Sequence, residues 1–144
     1  MDQFTRRIIG LAVYAGDVNG MIRCQMFSKI IAGKSAPRYL SSDNDPLFEY
    51  HRWQANLRVL EVDEIKTVPG VPVSHPFMER LIGTVCREYL DHILFWNTVD
   101  LERKLSEFKD CYNHERVHAS LGGDTPAEVA GESMTPRAKI DDFR

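Results

Sequence analysis

The chain has 144 residues, 43% hydrophobic and 27% charged, which fits one globular domain around one core. Its net charge of −3 argues against indiscriminate, whole-surface binding of nucleic acid. No apolar run approaches the roughly 18 residues of a membrane span, the charged start Met1–Arg7 lacks the long apolar stretch of a secretory signal, and the scattered Cys24, Cys86 and Cys111 read as reduced thiols of a cytoplasmic protein.

The first element expected is a strand over Thr5–Ala15, rich in branched apolar residues. Asp17 and Asn19 can cap a helix with Ile22, Met26, Phe27 and Ile30 on its apolar face, ending near Gly33. A short strand follows at Arg38–Leu40, then a polar loop at Ser41–Pro46. A short helix over Leu47–Leu57 turns Phe48, Trp53 and Leu57 inward, and Arg58–Lys66 alternates as a strand does. Val68–Pro72 reads as a loop, and Ser74 as the cap of a helix from about Phe77 to Leu90 that buries Phe77, Leu81, Val85 and Tyr89. Asn97 or Thr98 caps another helix, whose Leu101, Leu105, Phe108 and Tyr112 form one apolar stripe. Leu121-Gly122-Gly123 ends the regular pattern, Thr125–Glu128 opens one more helical turn, and Ser133–Arg144 reads as a loose tail. The alternation of strands and helices implies an α/β layer fold.

Charge is unevenly spread. Residues 1–40 carry six Lys/Arg against two Asp/Glu, residues 41–79 three against seven, and residues 80–144 nine against twelve. A basic end beside an acidic middle suits a phosphate-facing surface next to a carboxylate site, and it equally suits chance clustering on solvated faces. Asp43, just after a strand, and Glu79, in the first turn of a helix, are separated by thirty-five residues. Two such carboxylates can meet beside a sheet edge and offer the oxygen ligands that magnesium or manganese takes. The plainer alternative is that Asp43 stabilises a turn and Glu79 complements a helix dipole.

Three segments, in order, bear on that choice. Leu40-Ser-Ser-Asp43-Asn44 is similar to the Ser/Thr-Asp-Asn/Arg-Gly signature around the second catalytic aspartate of the integrase core, the domain of retroviral integrases and bacterial insertion-sequence transposases. Ser74-His-Pro-Phe-Met-Glu79-Arg80 is similar to the segment of the catalytic glutamate, at the separation typical of that family. Tyr112-Asn-His-Glu-Arg116-Val-His118-Ala-Ser-Leu-Gly-Gly-Asp-Thr-Pro126 closely resembles the ending of bacterial transposase cores. Asp45 departs from the family, which commonly has glycine there, and is either a spare ligand or a turn residue.

The resemblance implies a ribonuclease H-like integrase core that cleaves DNA and transfers a 3′-hydroxyl end to target DNA. Asp43 and Glu79 would be catalytic residues and ligands of Mg2+ or Mn2+, in a two-metal site. Asn44, Arg80, Arg87, Arg116 and His118 would be candidates for nucleic-acid contact, with Gly83 letting a backbone approach. Asp2-Gln-Phe-Thr-Arg6-Arg7 resembles the end of the family's second strand, so the first strand, its catalytic aspartate and most of the second strand are expected to be missing, and Asp2 to be structural. The expected organisation is a partial catalytic core over residues 1–131 and a flexible tail over 132–144. Such a chain is expected to be inactive alone and to depend on another chain or a swapped dimer. Its partners would be DNA, at transposon ends and target, and a second copy or a full-length transposase, with no membrane. The alternative is a non-catalytic fragment that binds DNA or inhibits a transposase.

Overall fold

The computed structural model describes residues 1–67 and 76–131. The Val68–Pro72 loop, the Ser74 cap and the tail from residue 132 lie outside them. Among the described residues, five α-helices, α1 (Gly20–Ile31), α2 (His51–Val59), α3 (Pro76–Thr84), α4 (Thr98–Glu115) and α5 (Pro126–Val129), accompany two strands, β1 (Tyr39–Ser42) and β2 (Asp63–Lys66). The strands pair in parallel, Tyr39 opposite Asp63 and Ser42 opposite Lys66, with α2 as the crossover. This is an α/β arrangement.

Caps act where the sequence puts them. Asn19 accepts from Ile22 N at the start of α1, and Asn97 from Asp100 N at the start of α4. Thr125 and Glu128 form a reciprocal capping box that starts α5, with Pro126 in its first turn. Without those side-chain acceptors the first N–H groups of each helix would lack partners.

Two apolar clusters form. Ile8, Leu81, Val85, Leu105 and Tyr112 make one, with Leu11, Val13, Met78, Leu101 and Phe108 against it. Trp53, Leu57 and Val62 make the other, with Phe27, Leu40 and Phe48 around the indole. The α4 stripe and the inward Trp53 and Leu57 are as expected. The α1 stripe is only half-buried, since α1 packs on α2 through Phe27, whose ring meets Trp53 edge-on at 5.2 Å. The clusters are joined where Gly10 meets Ile30, a contact so close that a Cβ on Gly10 would stand 2.7 Å from the Ile30 methyl.

Several expectations need correction. Thr5–Ala15 is not a strand, because no strand lies beside it among the described residues. Its backbone is instead satisfied piecemeal. Ile8 N donates to Asn113 Oδ1 at 2.8 Å, and Asn113 Nδ2 donates to Ile8 O at 3.0 Å, so one buried carboxamide stands in for a neighbouring strand. Arg58 and Val59 belong to α2, and only Asp63–Lys66 is extended. The turn between them needs Glu61 at φ +56°, which ends the helix before the strand begins. The expected helix over Leu47–Leu57 divides into a 3-10 turn at Pro46–Phe48 and α2. The expected helix over Phe77–Leu90 starts as α3, widens into a π-helical turn at Val85–Tyr89 and tightens to 3-10 at Leu90–His92. Phe77 lies outside the apolar cluster, which Met78 joins in its place.

Glu64, on β2, holds the sheet to α2. Its carboxylate accepts from Ser42 Oγ at 2.7 Å, Trp53 Nε1 at 3.1 Å and Gln54 Nε2 at 2.6 Å. Burial pushes this carboxyl up, but the hydrogen bonds from Ser42, Gln54 and Trp53 and the nearby Lys66 outweigh it and leave it below the ordinary value of 4.5.

Two stability measurements follow. Asn113→Ala strands the Ile8 amide and carbonyl in the interior and is expected to cost about 2 to 4 kcal/mol, seen as a lower urea midpoint. An unchanged midpoint would show that the carboxamide does not hold the segment. Because Glu64 is more acidic folded than unfolded, its contribution is complete above its unfolded pKa and lost as pH falls through the folded one. Glu64→Gln is therefore expected to flatten the decline in stability on acidification below about pH 4.5; a wild-type slope in the variant would contradict this.

Candidate metal and nucleic-acid site

Asp43 is the first residue beyond β1, at the carboxyl ends of two parallel strands, where open α/β sheets commonly bind ligands. It is exposed, and its Oδ1 accepts from Asp45 N at 3.3 Å across a tight turn. Asp45 is committed to that turn: its Oδ1 accepts from Leu47 N at 2.8 Å and caps the 3-10 turn. Of the alternatives for Asp45, the geometry favours the turn residue. Asn44 donates from Nδ2 to Thr67 O at 2.8 Å, which ties the end of β1 to the end of β2. Glu64, through Ser42, fixes the residue just before Asp43.

Glu79 lies in the first turn of α3, exposed, and no described residue pairs with it. Asp43 and Glu79 are thus hard oxygen donors that no side-chain cation occupies. Among the described residues no three His, Cys, Asp or Glu side chains converge on one point. Two carboxylates suit a divalent cation in kind, and further oxygens from water, a phosphate or another carboxylate would have to complete its shell.

Arg87 folds back along its own helix. A Cβ on Gly83 would stand 3.0 to 3.3 Å from the Arg87 guanidinium, so the glycine makes room for that side chain. On a regular helix the same face carries Glu79 one turn earlier. Arg80, next to Glu79, is exposed.

The remaining candidates lie at the end of α4. Arg116 makes a two-pronged pair with Glu88 of the π-helical turn, tying the end of α4 to the helix whose first turn carries Glu79. His118 is half-buried against the edge of Tyr112, with ring centroids 5.2 Å apart, and its Nε2 has no partner. Burial, then Arg116 and Arg6, push its imidazole below the ordinary value, which disfavours the cation. Its backbone organises the loop: Gly123 N and Leu121 N donate to His118 O, and His118 N donates to Asp124 O. Asp2, expected to be structural, accepts from Phe4 N and Thr5 Oγ1 in the first turn of the chain.

Sequence reasoning missed Glu64, Glu88 and Arg6. Nothing in their spacing reveals the partners, which are contributed by distant elements. Arg6 was visible only as part of the Asp2–Arg7 motif.

Residues 60–126 match the family described as "Integrase core domain", a stretch that includes Glu79 but not Asp43. The chain is 25% identical over 138 residues to the "Insertion element IS476 uncharacterized 39.2 kDa protein" of Xanthomonas euvesicatoria, covering 96% of this chain and 40% of that protein. It therefore spans about two fifths of the length of that curated relative. The fold is similar to the catalytic core domain of BIV integrase, with TM-score 0.68 and 21% identity, over 91% of this chain and 82% of that one. It is also similar to a chain of the simian T-cell lymphotropic virus intasome in complex with PP2A regulatory subunit B56γ, with TM-score 0.67 and 18% identity, over 89% of this chain and 47% of that one. These solved structures carry the ribonuclease H-like fold, and matched region, relative and fold point the same way: the chain is similar to the integrase cores of insertion elements and retroviruses.

Proposed function

We propose that this chain is part of a DNA transposase or integrase core, whose reaction is metal-dependent cleavage of a phosphodiester and transfer of a 3′-hydroxyl end to target DNA. The observation that carries this reading is the pair of exposed carboxylates at two defined points of an integrase-core fold, Asp43 at the carboxyl end of β1 and Glu79 in the first turn of α3. They would hold Mg2+ or Mn2+. Such ions, when bound, make water or a 3′-hydroxyl a better nucleophile and stabilise the leaving oxygen. The protein's own contribution is positional. Glu64 and Asn44 fix the strand ends from which Asp43 projects, and the Arg116–Glu88 pair ties down the helix that carries Glu79. Arg80 and Arg87 supply exposed positive charge near Glu79 on the same helical stretch, suited to the backbone of a DNA strand. Asn44, Arg116 and His118 complete the proposed nucleic-acid surface. Partners in this reading are transposon ends, target DNA and further transposase copies, in the cytoplasm and on the nucleoid.

A second reading, a non-catalytic fragment that binds DNA or a longer transposase, is favoured by a different observation. Ile8–Val13 belongs to no helix or strand, and β1 has one ladder neighbour, among the described residues. An open strand edge such as that of β1 can add a strand from another chain. Mixing the chain with the 39.2 kDa insertion-element relative and sizing the mixture by light scattering tests it: no mixed oligomer at high concentration removes this reading.

The catalytic reading is tested by manganese-dependent nicking and strand transfer on a preformed branched DNA. The chain would be assayed alone and completed with the unmatched part of the insertion-element relative. Asp43→Asn and Glu79→Gln are each expected to lower activity by more than about 100-fold; activity retained in Glu79→Gln would sink the assignment. Gly83→Ala separates binding from folding. A methyl there displaces the flexible Arg87 guanidinium and costs the helix nothing, so stability is expected to hold or to rise by up to about 1 kcal/mol while DNA affinity falls several-fold. Unchanged affinity would release Arg87 from a DNA role.

A further inference from the structure

The first turn of the chain holds an arginine in an unusual state. Arg6 has φ +61°, in the left-handed region that residues other than glycine rarely adopt. Such backbone costs about 1 to 3 kcal/mol and persists where the surroundings require it. The surroundings here are specific. Asp2 forms the turn by accepting from Phe4 N and Thr5 Oγ1, and Asp2 N donates to Arg7 O at 2.8 Å. On the far side, the Ile8 backbone is clamped by Asn113. Between these two anchors Arg6 is turned so that its guanidinium lies on the face of Phe77, 3.2 Å from the ring centroid. Phe77 is in the first turn of α3, two residues before Glu79.

The guanidinium is only partly used. Nη1 donates to Gln3 O, while Nε is buried and has no partner. It also has positively charged company. Arg6, Arg80 and Arg116 all lie within electrostatic reach of Tyr112, and Arg116 sits 5.7 Å from that ring. Of the acids near these arginines, Glu88 is committed to Arg116 and Asp2 to the turn. On a regular helix Arg80 projects about 60° from Phe77 and about 100° from Glu79. Arg80 therefore bridges the Phe77 face, where Arg6 sits, and the Glu79 face. The buried Nε is closed to a ligand, but the side chain is only half-buried and its terminal nitrogens lie on the exposed side; an arginine held flat against an aromatic ring and fixed by its backbone is preorganised for a planar oxyanion at that edge.

We propose that Arg6 is a phosphodiester-binding residue, which with Arg80 and Arg116 forms a cationic track that leads a nucleic-acid backbone toward Glu79. The proposal deepens the integrase-core reading above and rests on it. It assigns the N-terminal turn a role in substrate binding, beyond that of a structural lead-in to the core. Net charge does not oppose it, since the track is local and Glu88 is already paired with Arg116.

The test is metal-free binding of a 20-base-pair DNA duplex in EDTA, followed by fluorescence anisotropy across a salt series. Arg6→Asn removes the charge while suiting the left-handed backbone, so the fold is expected to be as stable as wild type in urea or more so. Affinity at low salt is expected to fall about five- to tenfold, and the slope of log affinity against log salt to shrink by about 0.9, the share of one phosphate contact. Arg6→Lys retains the charge and is expected to keep the slope while losing part of the affinity. Phe77→Leu, which removes the ring beneath the guanidinium, is expected to weaken binding in the wild type and to add nothing in Arg6→Asn. A wild-type slope and affinity in Arg6→Asn would overturn the proposal, leaving Arg6 as a cover for Phe77, and so would a wild-type chain with no salt-dependent binding. Catalysis is judged separately: a chain that binds through Arg6 but never nicks DNA with manganese would retain the track and lose the catalytic reading.

Discussion

The buried contact between Asn113 and Ile8 sets the terms for this half of the molecule. One carboxamide supplies both an acceptor and a donor to a backbone that has no strand beside it among the described residues. Unpaired, those two groups would oppose burial of Ile8, and Ile8 is only 2% exposed at the centre of the larger apolar cluster. The contact joins positions 105 residues apart and fixes α4 against the N-terminal segment. Through α4 it also locates Arg116, and through Arg116 and Glu88 the helix of Glu79. The side chain that closes the core thus also positions the candidate site.

The second cluster does the equivalent work for Asp43. Trp53 and Leu57 bury α2 against the sheet, and Glu64 then collects hydrogen bonds from Ser42, Trp53 and Gln54. A partly buried carboxylate is costly unless it is well paired, and three donors meet that need without a full cation. The same network immobilises Ser42, so the residue after it leaves the sheet in one direction. The two carboxylates are presented by separate clusters, joined through α1 where Gly10 meets Ile30 and where Lys34 Nζ donates to Ile9 O at 2.8 Å. The ion pair between Lys29 and Glu102 at 2.8 Å lies on the surface and adds little to that joint.

Local signals in the sequence were reliable where the physics is local. Asn19, Asn97 and Thr125 cap helices because a short polar side chain can reach an N–H two or three residues on. The spacing of Leu101, Leu105, Phe108 and Tyr112 required one apolar helix face, and α4 supplies it. Thr5–Ala15 failed for the opposite reason. Its composition is that of a strand, but a strand exists only with a neighbour, and composition cannot provide one. Arg58 and Val59 alternate with their neighbours, yet α2 continues through them because Leu57 has to reach the Trp53 cluster before the chain reverses at Glu61. At the proposed site, Asp43 and Glu79 are candidates that motif and separation single out. The residues that orient them were not, since Glu64 and Glu88 are ordinary carboxylates whose roles depend on partners from other elements.

Arginine placement resolves an apparent conflict between an acidic chain and the proposed nucleic-acid role. A net charge of −3 describes the field far from the protein, beyond about 10 Å at ordinary salt. A phosphate in contact responds instead to the few charges nearest it. Around the first turns of α3 those charges are mostly arginines, and the neighbouring acids Glu88 and Asp2 are held in pairs or turns. Much of the acidic excess lies elsewhere, as with Asp100, Glu102 and Glu107, each paired with Lys or Arg. Pairing reduces what those carboxylates contribute at a distance, so the local sign at the site can oppose the global one. In the proposed reading, an acidic surface with a cationic track would also limit binding to a chosen path, since a backbone that strays from the arginines meets repulsion.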